Sequence, residues 1–242
     1  MVFNIIKLRK SDDRFLSRRD WLHSMHSFSF AEHRDPKWDN YGNIRVINED
    51  IISPNAGFNM HSHSDMEIIT VVTEGAITHR DSLNNSGKIY ENEVQVMSAG
   101  TGITHSEKNE ENKPCKLFQI WIDPKKSNLK PDYKQTSFKN GIGEILIIDY
   151  KDGENKLYIN QDISLWRCKY KPMKEKKLPL KISKYNWIQI IEGNLLLKSK
   201  NPNLNLCLSS GDGLGFEVNH YDDISIDTEK EIDFLLFSMP SL

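Results

Sequence analysis

Two segments of this chain repeat one pattern, and that repeat limits the fold more than any other feature. Ile69-Thr-Val-Val-Thr-Glu-Gly-Ala-Ile-Thr-His79 and Trp187-Ile-Gln-Ile-Ile-Glu-Gly-Asn-Leu-Leu-Leu197 each run from an apolar strand through Glu-Gly into a second strand. Glu74-Gly75 and Glu192-Gly193 read as equivalent hairpin turns, with glycine supplying the positive φ. Asn92-Glu93 and Gly211-Asp212 follow at nearly the same offset. The chain reads as two copies of one β unit, with a period of about 118 residues.

The rest of the sequence agrees with an all-β reading. Stretches with apolar residues at i, i+3, i+4 and i+7 are scarce. Short runs rich in Ile, Val, Leu and Phe are broken instead by Gly, Asn, Asp and Pro. In the first half they cover Asn43–Ile47, Met66–Val72, Ala76–His79, Val94–Met97, Ile103–Glu107 and Lys116–Ile122. In the second they cover Glu144–Ile148, Ile163–Tyr170, Trp187–Ile191, Asn194–Lys198, Leu204–Leu208 and Ile232–Phe237. Strands this short, spaced near ten residues with turns between, indicate sandwiches or barrels. The stretch from Pro124 to about Gly141, rich in Lys, Pro, Ser and Asn, reads as a linker.

Composition excludes several function classes. A net charge of −2 and a pI near 6.5 give no broad basic field, which argues against nucleic-acid binding. The lysines between Lys171 and Lys184 read as a solvated edge or loop. No apolar run reaches the roughly 18 residues that span a bilayer, and the apolar stretch at the N-terminus is too short for a secretory signal. A cytoplasmic protein is expected. Cys115, Cys168 and Cys207 are odd in number and scattered, so they read as reduced thiols.

Chemistry concentrates in the histidines, seven of whose eight lie in the first 105 residues. His61-Ser62-His63 is an i, i+2 pair, and on a strand such residues share a face. His105-Ser106-Glu107 repeats the spacing after a Gly100-Thr-Gly102 turn. Neighbouring strands carrying these pairs would aim three imidazoles and one carboxylate at a common point. That donor set suits a divalent transition metal and leaves positions open for water or substrate. Glu67, at i+4 from His63, has the same strand parity and reads either as a further ligand or as a carboxylate orienting a ligand imidazole. His79, in His79-Arg80-Asp81, reads as part of a surface hairpin cluster, with a place behind a ligand residue as the alternative. His23, His26 and His33, set among aromatics, read as satisfied structural groups.

At these residues the chain resembles the pirin family of bicupins, and especially its bacterial quercetin 2,3-dioxygenase-like members. The likeness rests on His61-Ser-His-Ser-Asp-Met-Glu-Ile-Ile-Thr-Val-Val-Thr-Glu-Gly75, on His79 to Ser82, and on Val94-Gln-Val-Met-Ser-Ala-Gly-Thr-Gly-Ile-Thr-His-Ser-Glu107. His26-Ser-Phe-Ser-Phe30, Arg45-Val-Ile-Asn48 and Gln119-Ile-Trp-Ile122 also resemble family sequence. The resemblance implies two cupin (double-stranded β-helix) barrels packed as a bicupin. Residues 1–124 would form an N-terminal barrel with the metal, and residues 125–242 a metal-free C-terminal barrel. Carried over, the metal ligands are His61, His63, His105 and Glu107. Ser62 stands where the family usually has proline, which would loosen that strand slightly. In the second half the Glu-Gly register puts Pro179 and Lys181 where His61 and His63 stand, and His220 is the only histidine there.

The implied activity is metal-dependent dioxygenation of a flavonol such as quercetin. The heterocyclic ring opens with O2 and carbon monoxide is released, with Glu107 or Glu67 as catalytic base. The ion expected is iron, with copper, nickel, zinc, manganese and cobalt also suited. The competing expectation is a pirin-type regulatory role, in which the metal-binding protein acts through contacts with a protein partner. A monomer is expected.

Overall fold

A computed structural model describes residues 3–138, 141–149, 156–180, 185–200, 203–218 and 224–240. Among these the strands form four sheets, with antiparallel pairing. One is seven-stranded, in the order β12 (Asp132–Ser137), β9 (Glu93–Ser98), β6 (Glu67–Glu74), β11 (Cys115–Ile122), β4 (Ile44–Ile52), β3 (Leu22–His26), β2 (Phe15–Arg19). It faces a four-stranded sheet of β5 (Ala56–His63), β10 (Ile103–Asn109), β7 (Ala76–Asp81) and β8 (Ser86–Tyr90). A six-stranded sheet runs β1 (Phe3–Arg9), β19 (Gly213–Val218), β16 (Tyr185–Glu192), β21 (Ile232–Met239), β14 (Ser164–Tyr170), β13 (Gly143–Ile148). Its companion is β15 (Met173–Lys176), β20 (Ile224–Thr228), β17 (Asn194–Lys200) and β18 (Asn203–Ser209).

The repeat is visible in this order. The set 9-6-11-4 over 5-10-7-8 recurs as 19-16-21-14 over 15-20-17-18. The chain is therefore an all-β protein of two double-stranded β-helix barrels, a bicupin fold. Its compact units cross the sequence midpoint. One comprises Arg14–Lys139 with Tyr150–Gln161, the other Met1–Asp13, Asn140–Asp149 and Asp162–Leu242. A division at residue 124 does not follow these units. β1 pairs with β19, so the N-terminal strand joins the second barrel. The stretch read as a linker contains β12, which pairs with β9. Each flanking strand supplies backbone partners to what would otherwise be an open sheet edge.

The Glu-Gly turns are equivalent, but they are not hairpins. β6 and β7 lie in different sheets, as do β16 and β17. Gly75 (φ 77°) and Gly193 (φ 96°) turn corners between sheets. A Cβ on Gly75 would lie 2.8 Å from the Pro114 carbonyl oxygen, and one on Gly193 would lie 2.5 Å from that of Glu231. Only glycine accommodates both the backbone angle and the close approach.

The interiors of the two barrels differ in chemistry. In the first, His26, Asn48, Gln119, Thr70 and Gln95 pair in register across β3, β4, β11, β6 and β9, a buried polar row. In the second, the corresponding row is Trp166, Leu236, Ile188 and Leu214, part of one apolar core. Below and above the polar row the first barrel is apolar. Ile52, Val72, Ile77 and Leu117 fill one end, and Ile68, Met97 and Ile103 the other. Buried polar side chains cost free energy unless they are hydrogen-bonded, so a whole row of them marks a place where the interior serves something other than packing.

Candidate metal centre

β5 and β10 are neighbours, with His61 directly opposite His105 and His63 opposite Ile103. An irregularity between His105 and Glu107, where Glu107 pairs with Phe58, adds a residue on β5 and bends it at the motif. The three rings converge. Their centroids lie 4.4 Å (His61–His105), 4.9 Å (His61–His63) and 5.0 Å (His63–His105) apart. One ring nitrogen from each falls within 4.8 Å of the others.

The nitrogens are prepared for ligation. His61 donates from Nδ1 to the Asn59 carbonyl oxygen at 2.7 Å, which leaves Nε2 with its lone pair. His105 Nε2 is buried and has no hydrogen-bond partner. Burial, with His61 adding to it, lowers the His63 pKa to about 4. The same causes, with His63 and His79 contributing, push His105 far below the usual histidine value. These imidazoles stay neutral at ordinary pH, the state in which histidine binds metals. An orphaned buried nitrogen beside two further imidazoles fits a divalent transition-metal ion.

Glu107 is buried on β10 two residues after His105. A carboxylate oxygen lies within 4.8 Å of nitrogens of His105 and His79, a group that does not include His61 and His63. Thr70 Oγ1 donates to Oε1 at 3.2 Å and Gln119 Nε2 to Oε2 at 2.6 Å. Burial, reinforced by Asp50, raises the carboxyl to about 7 against these bonds.

Glu67 does not join the site. It is buried on β6, where it accepts from Ser98 Oγ at 2.6 Å and Asn160 Nδ2 at 3.1 Å. The parity from His63 to Glu67 holds only along an unbroken strand. β5 ends at His63 and β6 begins at Glu67 in the other sheet, with Asp65 at φ 45° between them. On β6 it is Thr70 that reaches Glu107, so Glu67 occupies the opposite face.

His79 also departs from the surface reading. It is fully buried on β7 opposite Glu107, bonded to Asp81 at 3.0 Å and stacked on Tyr133 with centroids 4.6 Å apart. His26 bonds Asn48 at 2.8 Å and Ser17 at 2.9 Å, as a satisfied group should, and it also lines the cavity at the site. Asp50 was not singled out by sequence reasoning. It lies 2 % exposed on β4, accepts a hydrogen bond from Ser24 Oγ and lines the same cavity. Burial raises its carboxyl to about 7. The signal available for it was a second polar residue, two positions after Asn48, on the same face of β4 as Ile44, Val46 and Ile52.

The cavity encloses about 220 Å³ and reaches His61, His63 and Glu107. Phe30, Phe58 and Trp121 give it aromatic walls. Trp121 sits edge-on to His63, with centroids 4.9 Å apart.

In the second barrel the positions of His105 and Glu107, read through the pairing of β20 with β17, are Ile224 and Ile226. Both are buried in that barrel's apolar core. β15 ends at Lys176, so Pro179 follows the strand, while Lys181, Lys184 and His220 lie outside the described residues. Cys115 and Cys168 are buried free thiols, and Cys207 is an exposed one. No helix among the described residues is long and apolar enough to cross a membrane.

Comparison with known proteins agrees with this geometry. Residues 9–122 match the Pirin family model, and residues 146–239 match the quercetinase C-terminal cupin domain. Quercetin 2,3-dioxygenase of Escherichia coli (strain K12) is 35% identical over 237 residues, covering 98% of this chain and 99% of that protein. The crystal structure of YhhW from Escherichia coli superposes with a TM-score of 0.89 at 34% identity, covering 98% of both chains. A structure of the same bacterial pirin in complex with nickel(II) gives the same TM-score and identity over 98% of this chain and 99% of that one. A quercetin 2,3-dioxygenase from Acinetobacter baumannii, at 17% identity and a TM-score of 0.78, shares the fold. With the barrels, the histidine cluster and a full-length relative all in accord, this chain belongs to the pirin family.

Proposed function

We propose that this protein is a metal-dependent dioxygenase that opens the heterocyclic ring of flavonols such as quercetin, consuming O2 and releasing carbon monoxide and a phenolic ester. The observation that carries the reading is the convergence of three imidazoles at an aromatic-walled cavity beside a buried carboxyl group. The name of the full-length Escherichia coli relative supports the same substrate class.

His61, His63 and His105 hold the ion, with Glu107 completing the set. We assign iron in a cytoplasmic protein. Nickel, copper, zinc, manganese and cobalt suit the same donors, and nickel is the ion in the Escherichia coli pirin complex. When bound, the ion supplies a Lewis acid that lowers the pKa of a coordinated hydroxyl.

The chain's own residues do the rest. Phe30, Phe58 and Trp121 hold a flat aromatic substrate and exclude water from the reacting carbons. Glu107 takes the substrate hydroxyl proton at Oε1, the oxygen bound only by Thr70 at 3.2 Å, and its raised pKa suits a base working near neutrality. Gln119 keeps the other oxygen fixed.

The test is loss of flavonol absorbance and release of carbon monoxide by purified, metal-loaded protein under oxygen. Turnover that disappears in His61→Ala supports the enzyme. Metal-loaded protein that leaves a panel of flavonols untouched overturns it and favours the regulatory role.

A further inference from the structure

The three ligand histidines are oriented in different ways. His61 is fixed by a backbone carbonyl. His105 has instead another histidine behind it, and that histidine has a carboxylate behind it. His105 Nδ1 lies 3.4 Å from His79 Nδ1, and His79 Nε2 lies 3.0 Å from Asp81 Oδ2. All three side chains belong to the pairing of β10 with β7, where His105 faces Asp81 and Glu107 faces His79.

The protons in this chain follow from the hydrogen bonds. Asp81 Oδ1 accepts from the backbone N–H of Leu83 at 2.9 Å and of Asn85 at 3.0 Å. Oδ2 accepts from Asn85 Nδ2 at 3.0 Å as well as from His79. Three N–H donors, two from backbone and one from the Asn85 amide, hold Asp81 as an acceptor and leave one lone-pair site facing His79 Nε2, which therefore carries the N–H. The contact between the two Nδ1 atoms needs one N–H, and His105 supplies it, because its Nε2 is buried and finds no acceptor for a proton in the protein. His79 Nδ1 is then the acceptor, and the His105 lone pair lies on Nε2. The Tyr133 ring, stacked on His79 at an interplanar angle of 25°, holds the imidazole in the plane this chain requires.

The second barrel supplies an internal comparison. Read through the same strand pairing, the positions of Asp81, His79 and His105 are Ser199, Leu197 and Ile224. Where the ligand histidine is replaced by isoleucine, the histidine and aspartate behind it are replaced too.

We propose that His79 and Asp81 are positioning residues that fix the tautomer and ring orientation of His105 for metal binding. The inference rests on the reading of His105 as a ligand, and the test separates the two. In metal-free protein labelled with 15N-histidine, ring chemical shifts should show His105 protonated at Nδ1 and His79 at Nε2. In the His79→Leu variant, His105 should become a mixture of tautomers, and nickel(II) affinity should fall ~10–100-fold, the usual effect of removing a partner behind a ligand. His79→Gln, whose side-chain oxygen can accept from His105 Nδ1, should keep affinity within about threefold of wild type. Should His79→Leu not fold, the wild-type tautomers and His79→Gln decide the question. His105 carrying its proton on Nε2 in the metal-free wild type overturns the proposal, as does a folded His79→Leu with unchanged tautomer and affinity. Wild-type protein that binds no nickel(II) while showing the expected tautomers refutes the ligand reading and leaves the relay as a purely structural device.

Discussion

Gln119 donates from Nε2 to Oε2 of Glu107 at 2.6 Å, joining the middle of the seven-stranded sheet to the strand that carries the metal motif. Gln119 is also bonded to Thr70, which contacts the other carboxylate oxygen, so one buried amide and one hydroxyl fix both oxygens of Glu107. Gln119→Leu keeps the volume but removes the donor. The expected result is a loss of about 1–3 kcal/mol in urea unfolding, because a buried carboxyl loses a partner. A fall in nickel(II) affinity of ~10-fold or more should accompany it. A variant of unchanged stability and affinity would show that Gln119 only fills space.

The corner at Gly75 makes a sharper structural claim. Gly75→Ala forces a left-handed φ on alanine and drives its Cβ to 2.8 Å from the Pro114 carbonyl. Thermal or urea unfolding should therefore show Gly75→Ala destabilised by about 2 kcal/mol or more, since a clash adds to the backbone strain. A loss under about 0.5 kcal/mol would mean that the corner relaxes to admit a Cβ.

Much of this was legible in the sequence because it is local. The Glu-Gly repeat located both barrels, and the i, i+2 pairs placed His61, His63, His105 and Glu107 on neighbouring strands, since strand parity is a short-range rule. The rule failed where a strand ended. Glu67 follows a break in the chain, so its parity with His63 was lost. What was not legible depended on partners far away in sequence. β1 belongs with β19 some two hundred residues later, and no local pattern announces it. His79 read first as part of a surface hairpin cluster, but Tyr133, on a strand inside the supposed linker, covers it. Asp50 follows Asn48 and Glu49 in a mixed polar stretch of β4, so its burial gains meaning only when Ser24 and the cavity are seen beside it.

Metal should appear as stability. An ion that binds only the folded chain adds about 2.7 kcal/mol at a hundredfold excess over its dissociation constant. Nickel(II) added to chelator-treated protein should raise the unfolding midpoint, and His105→Ala should abolish that rise, because the first barrel then offers only two imidazoles at the convergence. An equal rise in His105→Ala would place the bound ion elsewhere.

The Asp50 carboxyl predicts an unusual pH dependence. Burial raises its folded-state pKa from 3.8 to about 7, with the Ser24 hydroxyl bond pulling weakly the other way. Between those values the folded chain holds a proton that the unfolded chain has released. The folded state therefore binds more protons, and stability falls as pH rises through that window, then levels off above it. At ~1.4 kcal/mol per pKa unit the full shift sets a ceiling near ~4 kcal/mol. Glu107 works in the same direction, so the variant that isolates Asp50 is Asp50→Asn, whose side-chain oxygen still accepts from Ser24. In metal-free protein the stabilities of wild type and Asp50→Asn should be similar near about pH 4. By about pH 8 the variant should be the more stable by ~1–4 kcal/mol. Parallel stability curves across that range would mean that Asp50 is ionised in the folded protein and that the cavity floor is wetter than its burial indicates.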